Sequence, residues 1–433
     1  MSEPHEPHDS SEHGNETSSG AETGTSSPAE SPEPTRTQQF FHDLFSGSWL
    51  VSLLAIVVAL IIGAVFIAVA DPATQRAAGY FFDRPSDFFA NAWGAIADAY
   101  QALFRGAIID PQADTFVRLV RPLTETLVFS VPLILAGLGL AVGFRAGLFN
   151  IGGQGQIIVG AIVSSYIGFA FDLPVGLHLL LALFGGVLAG AIWAFIPGFL
   201  RARTGAHEVI VTIMLNSIAS YLLAYLLTTS VFREPGSPYP ESPPISEGTA
   251  SYPALLGGDF RLHAGFLVAI AATIVVWWLM ERSTLGFEIR AAGTNPNAAR
   301  TAGISVGRVI VLTMVISGIL TGLAGASQIV GTERTLTTGV AGSYGFDAIT
   351  VALLGRNRPW GTFFAGLLFG AFKAGSFLMQ STTPMPIDLI LVVQSVIVLL
   401  IAAPPLVRAI FRLPSPGSRP RSVAGSTRKK AAA

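Results

Sequence analysis

WLVSLLAIVVALIIGAVFIAVA, residues 49–70, runs for 22 residues without a charged side chain. At a helical rise of about 1.5 Å per residue it reaches about 33 Å, enough to cross the hydrocarbon core of a bilayer. Ala68-Val69-Ala70 before Asp71 has the small residues of a signal-peptide cleavage site. The preceding segment is acidic, however, and the block exceeds the usual apolar core of about 7–15 residues. It reads as a retained first span.

Composition extends that reading to the whole chain. Charged residues make up 12% of the sequence and hydrophobic ones 51%, against about 25% charged in soluble domains. Lysine occurs only at Lys373, Lys429 and Lys430. With no cysteine, disulfides, thiol catalysis and Cys-based metal sites are excluded. Residues 1–40 hold eight acids and one Arg, which leaves 25 basic and 19 acidic residues in the remainder. That dispersed excess does not suit nucleic acid. The 1–40 stretch is rich in Ser, Glu, Pro and Gly and has almost no large apolar side chains, so it reads as a disordered acidic tail. Its His5, His8 and His13 read as solvated rather than as metal ligands.

Further apolar blocks recur at 127–144, 157–171, 178–200, 210–232, 263–280, 309–331, 362–380 and 389–407, uncharged apart from Lys373. Another, 345–355, has only 11 residues. It is either a half-helix sheltered by protein or part of a kinked span. The expectation is an all-α polytopic membrane protein of about ten helices. It comprises an acidic cytoplasmic tail (1–40), a membrane domain (41–410) and a basic cytoplasmic tail (411–433). Arg145, Arg201, Arg203, Arg282, Arg290, Arg300, Arg308, Arg356, Arg358 and the basic tail then fall inside, and ten crossings put both termini in the cytoplasm. Outside, Phe89, Trp93, Ile96, Tyr100 and Phe104 have helical spacing, so a helix is expected along the outer surface. The Pro-rich 233–262 segment either docks a partner or covers the bundle.

Four clusters interrupt the apolar background. Asn150, Gln154 and Gln156 stand among Gly152, Gly153 and Gly155 directly after a span. Glycine there permits close backbone approach, and the amides can hydrogen-bond a polar solute or simply a Gly-rich turn. His207-Glu208 is followed by Asn216, near one helical face; Glu208 either faces a cavity or reaches headgroup water. Asp347 opens the short block at Gly345-Phe346-Asp347, as a helix cap, a path-lining group or both. Lys373, mid-block, reads as structural pairing or lumen-facing. The expected substrate path is therefore Asn150, Gln154, Gln156, Glu208, Asn216 and Asp347. The fourth cluster, in the loop 285–308, is a miniature helix, with Asn295 as its cap, Pro296 in its first turn and Gly303 as its left-handed stop. Two turns do not hold alone in water, so it must dock, on a partner or on its own bundle. No phosphate-binding P-loop occurs, since none of the three lysines has the G-x-x-x-x-G-K-[ST] setting. No His-Glu metal motif or Gly-x-Ser-x-Gly elbow occurs either.

The strings GLFNIGGQGQIIVGA (147–161), GAHEVIVTIMLNSIASYL (205–222), GFEIRAAGTNPNAARTAGI (286–304) and GFDAITVALLGRNRPWGTFFAGLLFGA (345–371) follow in that order. As a set, covering roughly residues 120–405, they resemble the permease subunits of bacterial ABC importers of the branched-chain amino-acid and ribose type. Among these the likeness is to the nucleoside permeases. The resemblance implies two permease subunits, identical or homologous, on two ATPases that use ATP and Mg. An external lipoprotein would deliver nucleoside, and no cofactor would sit on this chain. It assigns the loop bearing Arg290, Gly293, Asn295, Pro296, Asn297, Ala298, Ala299, Arg300 and Gly303 to the ATPase interface. His207 stands where nucleoside permeases often carry Asn, and Lys373 where Arg is common. Sugar-type relatives share the loop and the Phe-Asp start, so a simple sugar such as ribose is the alternative substrate.

Hydropathy also suggests an inverted repeat relating 127–156 to 309–347, with the solute site near the midplane where helices break. A secondary transporter would share broken helices but needs ion-coupling carboxylates deep in its spans and leaves the capped loop unexplained. A scaffold or sensor would not need polar amides at helix breaks.

Overall fold

Proline, glycine and a few capping side chains divide the apolar chain into helices of unequal length. The computed structural model describes residues 48–383 and, beyond them, 391–392, 395–396, 399–400 and 409–411. Both tails and most of the expected 389–407 span lie outside the described residues. Regular structure among the described residues is helical, with two isolated β-bridges.

Helix α1 (Ser48–Ala70) stops where Asp71 accepts the Thr74 N–H (2.7 Å) and so caps α2 (Pro72–Ala78), with a 72° bend between the two. Helix α3 (Pro85–Ala107) spans the expected helical spacing, but its aromatic stripe splits. Ile96 and Tyr100 pack into a small cluster with α1, and the Tyr100 hydroxyl donates to the Leu60 carbonyl. Phe89, Trp93 and Phe104 are exposed.

The core is built from α4 (Phe116–Arg145), α5 (Gly153–Ala170), α6 (Leu177–Thr204), α11 (Val306–Ser327), α12 (Tyr344–Leu354) and α13 (Pro359–Thr382). Around it stand α7 (Glu208–Leu226) and α8 (Gly265–Arg282). Helix α4 is the central post, buried over most of its apolar length, whereas α6 and α7 are largely exposed. A π-turn, Gln328–Glu333, ends α11.

The six core helices pack in matched pairs. Helix α4 lies on α13 as α11 lies on α6, α5 on α6 as α12 on α13, and α5 on α11 as α12 on α4. Exchanging α4–α6 with α11–α13 leaves this set unchanged. Helix α4 ends on the face that carries Arg145, Arg201 and Arg282, the arginine face, whereas α11 begins there. The two triples therefore run in opposite senses, which is the packing expected of the inverted repeat.

Small residues let these helices touch backbone to backbone. Gly186 and Gly190 of α6 face Gly318 and Gly322 of α11, and a Cβ at any of them would collide with a main-chain or Cβ atom opposite. This is the small-xxx-small packing of membrane helices, where close van der Waals contact replaces the hydrophobic drive that lipid abolishes.

Six helices are long and apolar enough to cross a membrane, or seven with the bent α1–α2 pair, so the expected ten is not reached among the described residues. One expected span, 389–407, lies mostly outside those residues, and the rest of the shortfall has physical causes. Helix α12 has 11 residues, about 16 Å by helical rise, and cannot cross about 30 Å of hydrocarbon. It is a half-helix, stopped by the turn at Gly355–Arg358. Helix α5, opened by Gln154 and Gln156, is outside the six.

On the face opposite the arginines, the Pro-rich segment covers the second break. Ser242 N–H bonds to Leu336 O (3.0 Å), Ile245 N–H to Arg334 O (2.9 Å) and Tyr252 N–H to Val330 O (2.9 Å). His263, in the loop before α8, stacks on Tyr252 (5.2 Å between centroids) and accepts the Gly265 N–H at Nδ1. Burial first, then the charges of Arg261 and Arg334, push its imidazole down to about 4 from 6.5.

Two outcomes follow from this packing. Gly322→Leu should cost about 1–3 kcal/mol through overpacking, read as lower thermal stability of the purified protein. The depressed His263 pKa makes stability independent of this group above about pH 6.5, where both states hold it neutral. As pH falls from 6.5 towards 4, the unfolded chain takes up the proton first and stability declines. His263→Gln should flatten the melting-temperature profile in that window; an unchanged profile would assign the slope to other groups.

Candidate functional site

A helix broken inside a bilayer leaves backbone N–H and C=O groups with no water to receive them, so side chains must do so. Helix α4 ends at Gly147, whose φ of +71° is left-handed. There Leu148 N–H bonds to Gly143 O (3.0 Å) and Gly147 N–H to Phe144 O (3.1 Å), the Schellman pattern. The chain then runs to the start of α5. Asn150 Oδ1 accepts the Gly152 N–H (2.8 Å), and its Nδ2 donates to Ser317 Oγ of α11 (2.9 Å). Gln156 Oε1 accepts from Thr321 Oγ1 (2.7 Å), one turn beyond Ser317. From α7, Asn216 Oδ1 accepts the Gly155 N–H (2.8 Å) and its Nδ2 donates to Ile151 O (2.9 Å). Asn150, Gln156 and Asn216 are buried, and their amides are occupied by the protein itself.

Glu208 stands apart from this network at the arginine face. Its Oε1 accepts the Phe149 N–H (3.1 Å), and its carboxylate pairs with Arg201, with His207 Nδ1 at 3.6 Å. One buried carboxylate thus ties the end of α6 and the start of α7 to the chain leaving α4. Beside it, Arg145 Nε donates to Asn357 O (3.0 Å) and its Nη2 reaches Glu281 (3.5 Å).

The second break meets the first. Gln154, at the start of α5, donates from Nε2 to Gly342 O (2.7 Å) and accepts the Gly345 N–H at Oε1 (2.9 Å). Gly345 lies so close to Gln154 that a Cβ would collide with its backbone. The N-termini of α5 and of the half-helix α12 therefore abut. Asp347, in the first turn of α12, accepts from Ser343 Oγ (2.7 Å) and pairs with Lys373 of α13 (3.0 Å). The Lys373 ammonium also donates to Ser343 Oγ (3.0 Å) and lies 4.3 Å from the centre of the Tyr344 ring. The aspartate suits the positive helix end, and the lysine balances the aspartate.

On the arginine face, α9 (Thr284–Thr294) is followed by α10 (Pro296–Thr301). Asn295 ends one and starts the other. Its N–H bonds to Ala291 O (3.1 Å), while its Oδ1 accepts the N–H groups of Asn297 (3.0 Å) and Ala298 (3.1 Å). Gly303, at φ +85°, closes a second Schellman turn with Ile304 N–H to Ala299 O (3.0 Å) and Gly303 N–H to Arg300 O (3.0 Å). Ala299 is buried on the bundle, whereas Asn297, Ala298, Arg300 and Thr301 are exposed. Gly293 seats this unit against the Arg145 carbonyl and Ala146. Arg290 has one guanidinium nitrogen buried without a partner among the described residues.

The expected polar residues thus divide into three places: a brace (Asn150, Gln156, Asn216), the crossing of α5 and α12 (Gln154, Asp347) and a face clamp (Glu208). Sequence reasoning missed Ser317 and Thr321, although two hydroxyls four residues apart inside an apolar run are a visible signal. It also missed the Arg201 and Arg145 clamps, whose partners are remote in sequence.

A family model described as the permease component of the branched-chain amino acid transport system matches residues 123–402. The guanosine ABC transporter permease protein NupP of Bacillus subtilis is 37% identical over 324 residues, 73% of this chain and 88% of that protein. The nucleoside ABC transporter permease protein NupB of Lactococcus lactis subsp. cremoris is 35% identical over 318 residues, 72% and 86% of the two chains. The glucose ABC transporter permease protein TsgB13 of Haloferax volcanii is 36% identical over 286 residues, 64% and 75%. No solved structure matches the chain. Both breaks, their brace and the capped α10 unit lie within the matched residues, and the chain belongs to the family of branched-chain amino acid transport system permease components.

Proposed function

We propose that this chain is the membrane permease subunit of a bacterial ATP-binding-cassette importer for nucleosides, driven by separate ATPase subunits that seat on α10. The exposed rim of α10 is the observation that carries the ATPase partner. A six-residue helix fixed by a double-duty cap and a left-handed stop, with one buried residue, is a rigid surface feature held ready for a partner. ATP and Mg then belong to the partner, and this chain is a transporter component rather than an enzyme. A second permease subunit and an external binding lipoprotein complete the assembly. The arginine face is the cytoplasmic one by the positive-inside rule, with both termini on that side of the cytoplasmic membrane.

Nucleoside is the favoured substrate because NupP and NupB, named for guanosine and nucleosides, each align over more than 70% of the chain. The similarity to TsgB13, named for glucose, supports a simple sugar as the second reading. Within the membrane, Gln154 and Asp347 are assigned to the solute path. Asn150, Gln156 and Asn216 hold the break open beside it, and Glu208 holds the cytoplasmic end. Labelled guanosine should enter vesicles carrying the complete complex only with ATP and the ATPase present. Uptake driven by an ion gradient alone would favour secondary transport. Glucose uptake without guanosine uptake would favour the sugar reading.

Two sets of variants separate these roles. Gly303→Val forces a β-branched residue into a left-handed turn at about 1–3 kcal/mol, and Ala299→Glu buries a charge under α10. Both should lower ATPase co-purification and uptake together. Ala298→Glu, on the exposed rim, should do the same with an unchanged melting temperature; normal co-purification in all three would remove α10 as the coupling element. Asn150→Ala strands buried partners and should cost about 1–3 kcal/mol of stability. Asp347→Asn should instead depress uptake in a complex that still assembles. Full uptake by Asp347→Asn would take Asp347 out of the path.

A further inference from the structure

The π-turn after α11 leaves a buried acceptor unused. Gln328 is 3% exposed. Its Nε2 donates to Glu333 Oε1 (3.1 Å), whereas its Oε1 has no partner among the described residues. Buried polar atoms in native proteins are almost always paired, and π-geometry collects at functional sites. Gln328 lines a cavity of about 300 Å³ together with Ser343, Tyr344 and Lys373, at the start of the half-helix α12. That volume lies at the lower end of small-molecule sites. Phe129 of α4 and Phe377 of α13 line it too. The same two rings, stacked at 5.4 Å and 21°, also line a wider cavity of about 660 Å³. Arg118, Glu125 and Arg261 rim that outer space, on the face opposite the arginines. The phenylalanine pair stands between the two.

We propose that the inner cavity is a nucleoside site within a single permease subunit, with Gln328 as the acceptor for the base's N–H edge and the Phe129–Phe377 stack as its outer door. The inference rests on the nucleoside reading above and gives it a location. Aromatic walls suit a base, because every base has a π-face to stack. The free Gln328 Oε1 demands a donor, which a purine's ring N–H or exocyclic amine supplies. Lys373 and Ser343, bonded to each other and to Asp347, also line the wall and can meet hydroxyl or carbonyl oxygens. Lys373 is neutralised by Asp347, so Glu333 on the cavity wall leaves the chamber net negative, which disfavours a phosphorylated nucleotide and suits a neutral nucleoside. A solute entering the door thus exchanges water for a stacked base and one specific hydrogen bond.

The chain has no cysteine, so Ser376→Cys, on the same cavity wall, puts one reporter thiol of this chain inside the complete transporter. Val340→Cys, also on that wall, serves if the first variant fails to assemble. In vesicles, guanosine should slow labelling by a small thiol reagent several-fold, and glucose should not. Phe129→Ala should speed labelling without nucleoside. Gln328→Met should leave that unprotected rate unchanged but raise the guanosine concentration for half-protection about tenfold, the effect of one lost hydrogen bond. Absent protection, or equal protection by glucose, in a transporter that still imports guanosine would overturn the site and leave the nucleoside reading standing. A complex that imports glucose but no guanosine would overturn both.

Discussion

Inside a bilayer an unpaired backbone amide has nowhere to go, and at the two helix breaks of this protein side chains receive those groups. Asn150 and Asn216 do so for the start of α5, and Gln154 does so across the gap for the start of α12. Each costs the bundle a buried polar residue, offset because every named bond is direct and short. The arrangement sets two positive helix ends against each other at depth, with Asp347 and Lys373 balancing the charge there. Everything else in the core is arranged around that crossing.

Glycine is what brings the crossing helices close enough. Gly345 against Gln154, Gly160 against Gly322 and Gly190 against Gly318 are approaches at which a methyl group would already collide. Such contacts leave no room for side chains between the helices, so those helices are packed as units. The ends of those units are tied on the arginine face by Arg145 and by the Arg201–Glu208 pair. Helix α9 leans on the same place, with Gly293 on the Arg145 carbonyl. Movement of α10 would therefore reach the first break through one layer of contacts.

Much of this was legible beforehand. The α10 unit was readable to the residue, because a cap, a proline start and a left-handed stop act within a few positions of one another. Helix α3 was readable from its 3.6-residue spacing, although which aromatics pack inward was not. The expected ten spans are not reached among the described residues, because the apolar 345–355 block is a half-helix, the glutamines of α5 dilute a buried helix, and most of 389–407 lies outside those residues. The polar residues were identified by type, yet their division into brace, crossing and clamp was not, since Asn150 finds Ser317 and Gln154 finds Gly345 across more than 160 positions of sequence.

Local chemistry determined the membrane class, the helix starts and stops and the polar positions that interrupt the apolar runs, because propensity, capping and hydrophobicity act over a few residues. Tertiary structure alone decided which amides are occupied by protein, that α5 and the half-helix α12 abut, and that Gln328 keeps one buried acceptor free beside a pair of stacked phenylalanines. Those outcomes depend on helix crossings between residues far apart in the chain, and no periodicity within a single helix encodes its neighbour.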